Sequence, residues 1–232
     1  MGRSLTLQDF SQRPCYIFVD IASKKDICPV MYLFRFGNNS QGKKRYAVFG
    51  HYFLPADVVS QDLVGHRADY NAWATQGLFT LTPGNTVDYD AIKEHLFQAN
   101  KDFKVIQVGF DDWGEDQIAQ DLQKKRMKVM VIPQRVKYLS NPMKTLEAYI
   151  INTNADSEHD PRIIHSGDPV LSWAMGNVVA KEDANENVFP RKEHFNKKID
   201  PAVGLINLLA MEAEEPLPEK KSFRRTPIIM KV

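Results

Sequence analysis

The sequence predicts an α/β domain, a mixed β-sheet flanked by helices. Two observations carry that prediction. Three apolar segments joined by short polar links lead the chain, and strand-length apolar runs then alternate with stretches of helical periodicity. Residues 1–13 are polar and read as a lead-in. Residues 15–19, Cys-Tyr-Ile-Phe-Val, are continuously apolar, as a strand buried on both faces should be, and they end at Asp20. Residues 21–26 form a polar turn, 29–36 a second strand, 37–44 a Gly-containing connector and 45–53 a third strand. Short links between three strands predict an antiparallel meander.

Residues 55–87 are mixed, rich in aromatics, with a turn at Pro83-Gly84. A helix is expected over 88–100, with Asp88 as N-cap and Ile92, Leu96 and Ala99 on one face. Residues 104–110 are a strand ending at Asp111. A helix over 115–126 turns Ile118, Ala119 and Leu122 inward, and 128–132 is a further strand. Asn141-Pro142 is read as opening a helix with Met143, Leu146, Tyr149 and Ile150 on one apolar face. A polar loop over 153–162 precedes a short helix over 168–177. Residues 181–197 read as polar and irregular, and 199–211 as a helix with Ile199, Val203, Ile206 and Ala210 in register. The residues from 212 onward read as a charged tail, so the expected domain runs over 14–211.

The chain has 232 residues, 43% of them apolar, with 30 basic against 29 acidic side chains. That composition supports a sizeable core and excludes little, because a nucleic-acid enzyme needs a basic face rather than a basic average. Cys15 and Cys28 lie in or beside apolar runs and read as buried thiols, without metal-type spacing. No apolar run approaches the roughly 20 residues that span a bilayer. A soluble protein of a reducing cytoplasm, with no membrane partner, is therefore expected.

Residues 37–44, Gly-Asn-Asn-Ser-Gln-Gly-Lys-Lys, nearly spell a phosphate-binding loop. The hydroxyl that should follow the lysine is replaced by Lys44, and a strand rather than a helix comes next. A hairpin connection fits better, so no ATP site is expected in this chain.

Two apolar strands each end in an aspartate. If they are parallel neighbours, Asp20 and Asp111 meet at their C-terminal ends, where ligand sites of such sheets gather. Close carboxylates repel, and a hard divalent cation resolves the repulsion. A third acid from a nearby helix, Asp200, would complete a site for two ions and in-line phosphoryl displacement. Plainer roles stay open for each: a turn at Asp20, a helix cap at Asp111 or Asp112, and an N-cap at Asp200 before Pro201.

Longer stretches carry a resemblance. Val19-Asp20-Ile21-Ala22-Ser23 with Asp26 resembles the first acidic motif of tailed-phage terminase large subunits. Phe110-Asp111-Asp112-Trp113-Gly114 resembles the second. Gln134 and Leu139-Ser140-Asn141-Pro142-Met143-Lys144-Thr145-Leu146-Glu147 resemble the stretch that follows it. His165-Ser166-Gly167-Asp168-Pro169-Val170-Leu171-Ser172-Trp173 with Asn177 is similar to another family segment, and Lys198-Ile199-Asp200 to the third acidic motif. The family usually has Gly after that acid, where this chain has Pro201; a proline there suits a helix start.

The resemblance implies an RNase H-like fold, a five-stranded sheet in the order 3-2-1-4-5. It implies an endonuclease that cuts concatemeric double-stranded viral DNA during packaging in the host cytoplasm. Magnesium or manganese would sit on Asp20, Asp111 and Asp200, with Asp26 as a further candidate ligand. The implied partners are the terminase ATPase domain, the small terminase subunit and the portal. The chain lacks the motor motifs and is expected to be an isolated C-terminal nuclease domain, excised or separately encoded.

Arg191, Lys192, Lys197 and Lys198 adjoin the proposed site and are candidates for DNA phosphate, as is His165, for which a structural role is the alternative. Lys124, Lys125, Arg126 and Lys128 read as a solvated face. Lys220, Lys221, Arg224 and Arg225 could dock on a partner. Asp168 is read as an N-cap, and Trp113 and Trp173 as packing residues. Two rival functions remain: another RNase H-like nuclease, such as a resolvase or RNase, and a non-catalytic portal or capsid docking module.

Overall fold

The computed structural model describes residues 5–21, 26–60, 67–111, 116–151, 161–194 and 197–217. At its centre is β1 (Pro14–Val19), in which every residue after Pro14 is buried. Tyr16 and Phe18 face one apolar layer, while Cys15, Ile17 and Val19 face the other. This two-sided burial explains why the run is continuously apolar rather than alternating.

On one side β1 pairs antiparallel with β2 (Cys28–Asn38), which pairs antiparallel with β3 (Lys44–Pro55). The link between β2 and β3 is the hairpin connection expected of residues 37–44. The Asn39 side-chain oxygen accepts from the backbone N–H of Gln41 at 3.1 Å and of Lys43 at 2.8 Å, and Gly42 supplies a φ of 75°. On its other side β1 pairs parallel with β5 (Lys104–Phe110), and β5 with β6 (Val129–Val131). These five strands stand in the order 3-2-1-4-5 of the expected sheet.

Two short strands extend it. Both β4 (Phe79–Thr82) and β7 (Ile163–His165) run parallel to β3 on its outer edge, β7 beside Tyr46–Val48 and β4 beside Tyr52–Pro55. The sheet order is thus β4-β3-β2-β1-β5-β6, with β7 also on β3. Neither extra strand is long enough to show a period in sequence.

One face of the sheet carries α3 (Tyr89–Asp102) and α4 (Asp116–Lys124), which bury Ile92, Leu96, Ala99, Ile118 and Leu122. Asp88 caps α3 as expected, accepting from the N–H groups of Asp90 and Ala91. Phe10, from the lead-in, packs on this face against Phe34, Phe36 and Phe49. The short α1 (Ala56–Ser60) and α2 (Arg67–Thr75) link β3 to β4. The opposite face is covered by α5 (Val136–Ile151), α6 (Pro169–Met175) and α7 (Asp200–Glu214).

Helix α7 lies between the sheet and α5, and is buried on nearly all sides. Each of the buried Leu205, Leu208 and Leu209 contributes roughly 1.5–3 kcal/mol. Gly204 lets the helix approach the sheet: a Cβ there would lie 2.8 Å from Met31 Cγ. Gly109 plays the same part on β5, where a Cβ would lie 2.6 Å from Met211 Sδ. The core reaches past 211, since Glu212 and Leu217 are buried.

Three readings of the sequence need correction. Helix α5 does not open at Asn141-Pro142; it begins at Val136 and contains Pro142. The ring removes one helical hydrogen bond, but burial of Leu139, Pro142 and Leu146 on one face holds the helix across it. Ile150 is 47% exposed rather than buried, as it lies near the helix end. Residues 181–197 are not irregular throughout, because β8 (Val178–Glu182) and β9 (Val188–Lys192) form an antiparallel hairpin. Its strands are mostly solvent-exposed, so no apolar alternation marks them.

Cys15 and Cys28 are buried free thiols, with burial pushing the Cys15 thiol far up from its ordinary value. No described helix is long and apolar enough to cross a membrane. The predicted 153–162 loop, Asp112, Trp113 and the basic residues of the tail lie wholly or mostly outside the described residues, as does most of the 21–26 turn.

Candidate metal centre

The parallel pairing of β1 with β5 sets Val19 beside Phe110. The next residues, Asp20 and Asp111, therefore leave the sheet together at its C-terminal rim. The Asp20 N–H donates to the Pro29 carbonyl at 3.2 Å, holding that residue in line with β2. Helix α7 brings the third acid. Asp200 is its first residue and Ile199 its N-cap, with no side-chain capping bond. The plain reading of Asp200 as an N-cap is thus not what the structure shows. Pro201 falls in the first turn, where its missing N–H is harmless.

Asp200 Oδ2 is buried without a hydrogen-bond partner. Leaving a buried carboxylate oxygen so is costly unless a cation completes it. Its pKa is pushed up to about 6, first by burial and then by Asp26, against the pull of Lys192 and Lys198. The Asp20 carboxyl is raised well above the ordinary range by burial, then by Asp200, Asp111 and Asp26, with Lys192 opposing. Four acids thus share one field. Among the described residues no three acidic, His or Cys side chains are already drawn into a coordinating cluster. Like charges that repel each other stand apart until a cation draws them in. All-oxygen donors of this kind suit a hard divalent ion such as Mg²⁺ or Mn²⁺.

Asp26 is held on both oxygens. Lys198 Nζ donates to Oδ2 at 2.6 Å, and the Ile27 N–H to Oδ1 at 3.0 Å. Asp26 and Lys198, singled out separately in sequence, are therefore partners across the site. Asn177 donates to the Lys198 carbonyl at 3.0 Å and steadies the approach to Asp200. Gln134 donates to the buried Asn207 of α7 at 3.0 Å. These two motif residues position the helix that carries the acid.

Lys192, at the end of β9, lies close enough to Asp20 and Asp200 to offset their repulsion. Arg191 points to the opposite face of the hairpin, its guanidinium 5.2 Å from the Phe189 ring centroid. The Lys197 backbone N–H donates to the His194 carbonyl, and no contact ties its ammonium to the acids among the described residues.

His165 is not brought to them. It pairs at the level of Val48 on β3, while Asp20 is level with Tyr52. Three strands across and four residues down place it roughly 20 Å away. Its Nδ1 accepts from the Gly167 N–H, a local structural role. Asp168 caps α6 as expected, accepting from Val170 and Leu171 and from the Tyr52 hydroxyl. Trp173 packs against Tyr70 and Trp73.

Sequence reasoning missed Tyr70. Its phenol pKa is raised by burial and then by Asp26 and Asp200, so it stands beside the same acids. Nothing in its local sequence marks it.

The model of the terminase large subunit endonuclease domain family matches residues 4–215. Protein YmfN of Escherichia coli (strain K12) is 33% identical over 213 residues, which cover 88% of this chain and 44% of YmfN. The large terminase subunit of Enterobacteria phage HK97 is 25% identical over 195 residues, covering 83% of this chain and 36% of that protein. The chain thus spans less than half the length of these curated relatives. The crystal structure of the HK97 bacteriophage large terminase aligns with a TM-score of 0.72 at 23% identity, covering 91% of this chain and 40% of that one. The large terminase nuclease from thermophilic phage G20c aligns with a TM-score of 0.53 at 12% identity, covering 87% and 82%. Those two likenesses speak for the fold. The family match over nearly the whole described chain, together with the relative at 33% identity, means that this chain belongs to the terminase large subunit endonuclease domain family.

Proposed function

We propose that this chain is a divalent-metal-dependent endonuclease that cuts double-stranded DNA during viral genome packaging. The observation that carries the reading is the meeting of Asp20, Asp111 and Asp200 at one sheet rim, with a buried Asp200 oxygen that has no donor. Asp20, Asp111 and Asp200 would hold two Mg²⁺ or Mn²⁺ ions, with Asp20 between its two neighbours. Ions held there would supply Lewis-acid activation of the attacking water and charge stabilisation at the leaving 3′ oxygen.

The chain's own residues do the rest. The aspartates fix the ions and surrender their mutual repulsion on binding. Lys192 presents positive charge towards the same rim, where it can meet a phosphate. Lys198 keeps Asp26 paired and so limits the negative charge that DNA must approach. Sequence preference is low, since phosphate contacts position a duplex without reading it. In the packaging assembly the partners would be double-stranded DNA, the ATPase domain, the small terminase subunit and the portal, in the host cytoplasm.

Plasmid digestion tests the reading. Wild-type protein should nick or linearise supercoiled DNA with Mg²⁺ or Mn²⁺ and not with EDTA, and Asp111→Ala should lose at least a hundredfold of that rate. Undiminished cutting by Asp111→Ala would sink the site assignment. A preference for RNA–DNA hybrid or four-way junction over duplex would move the substrate to a related nuclease class. No cutting with any metal would favour a docking role.

A further inference from the structure

The hairpin β8–β9 and the link from β6 to α5 enclose a cleft of about 440 Å³, lined among others by Gln134, Arg135, Lys181, Phe189 and Arg191. Cross-strand pairing sets Val179 opposite Arg191 and Lys181 opposite Phe189. Lys181, Phe189 and Arg191 therefore share one face of the hairpin, with Arg191 lying over the Phe189 ring. Arg135 reaches the cleft from the other wall. The lining also holds two acids: Glu182, which strand alternation sets on the opposite face of the hairpin from Lys181, and Asp183, turned into the hairpin end, where its carboxylate accepts from the N–H groups of Asn185 at 2.8 Å and Asn187 at 3.0 Å.

The cleft wall is preformed. The hairpin is braced on α5, where the Val188 N–H donates to Ser140 Oγ at 3.1 Å, and Pro190 is buried beneath it. One wall of the cleft stands at the same end of the sheet as the catalytic rim. Strands β1, β5 and β6 are parallel, so the link after β6 leaves the sheet at the end that carries Asp20 and Asp111. Two strand spacings put it roughly 10 Å from Asp20. The residue after Arg191 is Lys192, which acts on the aspartates themselves. A DNA strand repeats its charge every ~3.4 Å along the axis, so that offset spans about three nucleotides.

We propose that this cleft is a backbone-positioning subsite. Arg135, Lys181 and Arg191 grip phosphates about three nucleotides from the scissile one, while Lys192 faces the cut. The proposal rests on the nuclease reading above. These side chains hold DNA in register and take no part in bond cleavage.

Anisotropy of a labelled duplex of about 24 base pairs, titrated with the protein in Ca²⁺ over a range of NaCl, tests it. Each lost phosphate contact lowers the slope of log K against log salt by about 0.9. Arg135→Ala with Arg191→Ala should lower the slope by about two and weaken low-salt binding at least tenfold. In Mg²⁺, KM for cleavage should rise while kcat at saturating DNA stays near wild type. Lys128→Ala, at the other end of β6, should leave the slope unchanged. An unchanged slope in the double variant, with cleavage intact in wild type, overturns the subsite and leaves the nuclease reading standing. A fall in kcat with KM unchanged also overturns it, because the arginines would then act at the chemistry. If the wild-type chain binds no duplex even at low salt, both readings fall.

Discussion

Asp200→Asn should make the metal-free protein more stable while removing its activity. The carboxyl titrates near 6 in the folded chain, raised by burial and by Asp26, against about 3.9 when unfolded. A folded pKa above the unfolded one means that this group's support for the fold is present at low pH and lost as pH rises through 4 to 6. Above pH 7 the difference between those two values costs the folded state about 3 kcal/mol. The amide carries no charge, so Asp200→Asn should recover up to about 3 kcal/mol at pH 8 and almost nothing at pH 3.5. For a chain of this length that corresponds to a rise of roughly 6–12 °C in Tm. Thermal melting in EDTA at the two pH values measures the difference. Added Mn²⁺ should then raise the Tm of wild type by clearly more than that of Asp200→Asn. A variant less stable than wild type at pH 8, or equally shifted at both pH values, would refute the argument that repulsion at this acid is held in reserve for a cation.

Three further outcomes follow from the core. His51 and His95 stack at 4.1 Å, with Tyr32 at 2.6 Å from His95 Nε2 and Thr80 at 2.9 Å from His51 Nε2. Burial pulls their pKa values down to about 4 and about 3, with His51 adding to the effect on His95. Unfolded histidine takes its proton near 6.5, so stability should fall as pH drops below that value, by about 2 kcal/mol per histidine at pH 5. Urea unfolding at pH 7 and pH 5 should show the drop shrink by about that amount in His95→Phe; an unaltered drop would assign it elsewhere. Gly204→Ala gains helix propensity of about 1 kcal/mol but forces its Cβ to 2.8 Å from Met31. Net destabilisation of roughly 1–2 kcal/mol is expected, and a more stable variant would contradict the close packing of α7. Glu212→Ala strips the buried acceptor shared by Lys44, Tyr46 and the Leu217 N–H. It should cost about 3 kcal/mol, read as a lower denaturant midpoint, and a loss under about 1 kcal/mol would deny the cluster a role in tying the end of α7 to the sheet.

What could be read from sequence was whatever burial writes into local pattern. Strand β1 is buried on both faces and shows it as an unbroken apolar run, and Asp88 and Asp168 announce their helices by capping chemistry. The order of five strands came from the family resemblance. Other features leave no local mark. The β8–β9 hairpin is exposed and polar, so Lys192 lay in what read as a loop. Pro142 imitated a helix start because its burial, which keeps α5 intact across it, is a tertiary fact. The Lys198–Asp26 pair spans 172 residues, and Tyr70 reaches the acids from a segment with no motif. His165 sat within a family motif, yet pairing on the outer edge of β3 carries it away from the rim.

The central claim is that Asp20, Asp111 and Asp200 together make a divalent-metal site. Calorimetric titration of Mn²⁺ into the metal-free protein near pH 8 tests it most directly. Wild type should bind about two ions, and Asp20→Asn, which removes the acid between the other two, should lose both. Equal binding by wild type and Asp20→Asn would contradict the account.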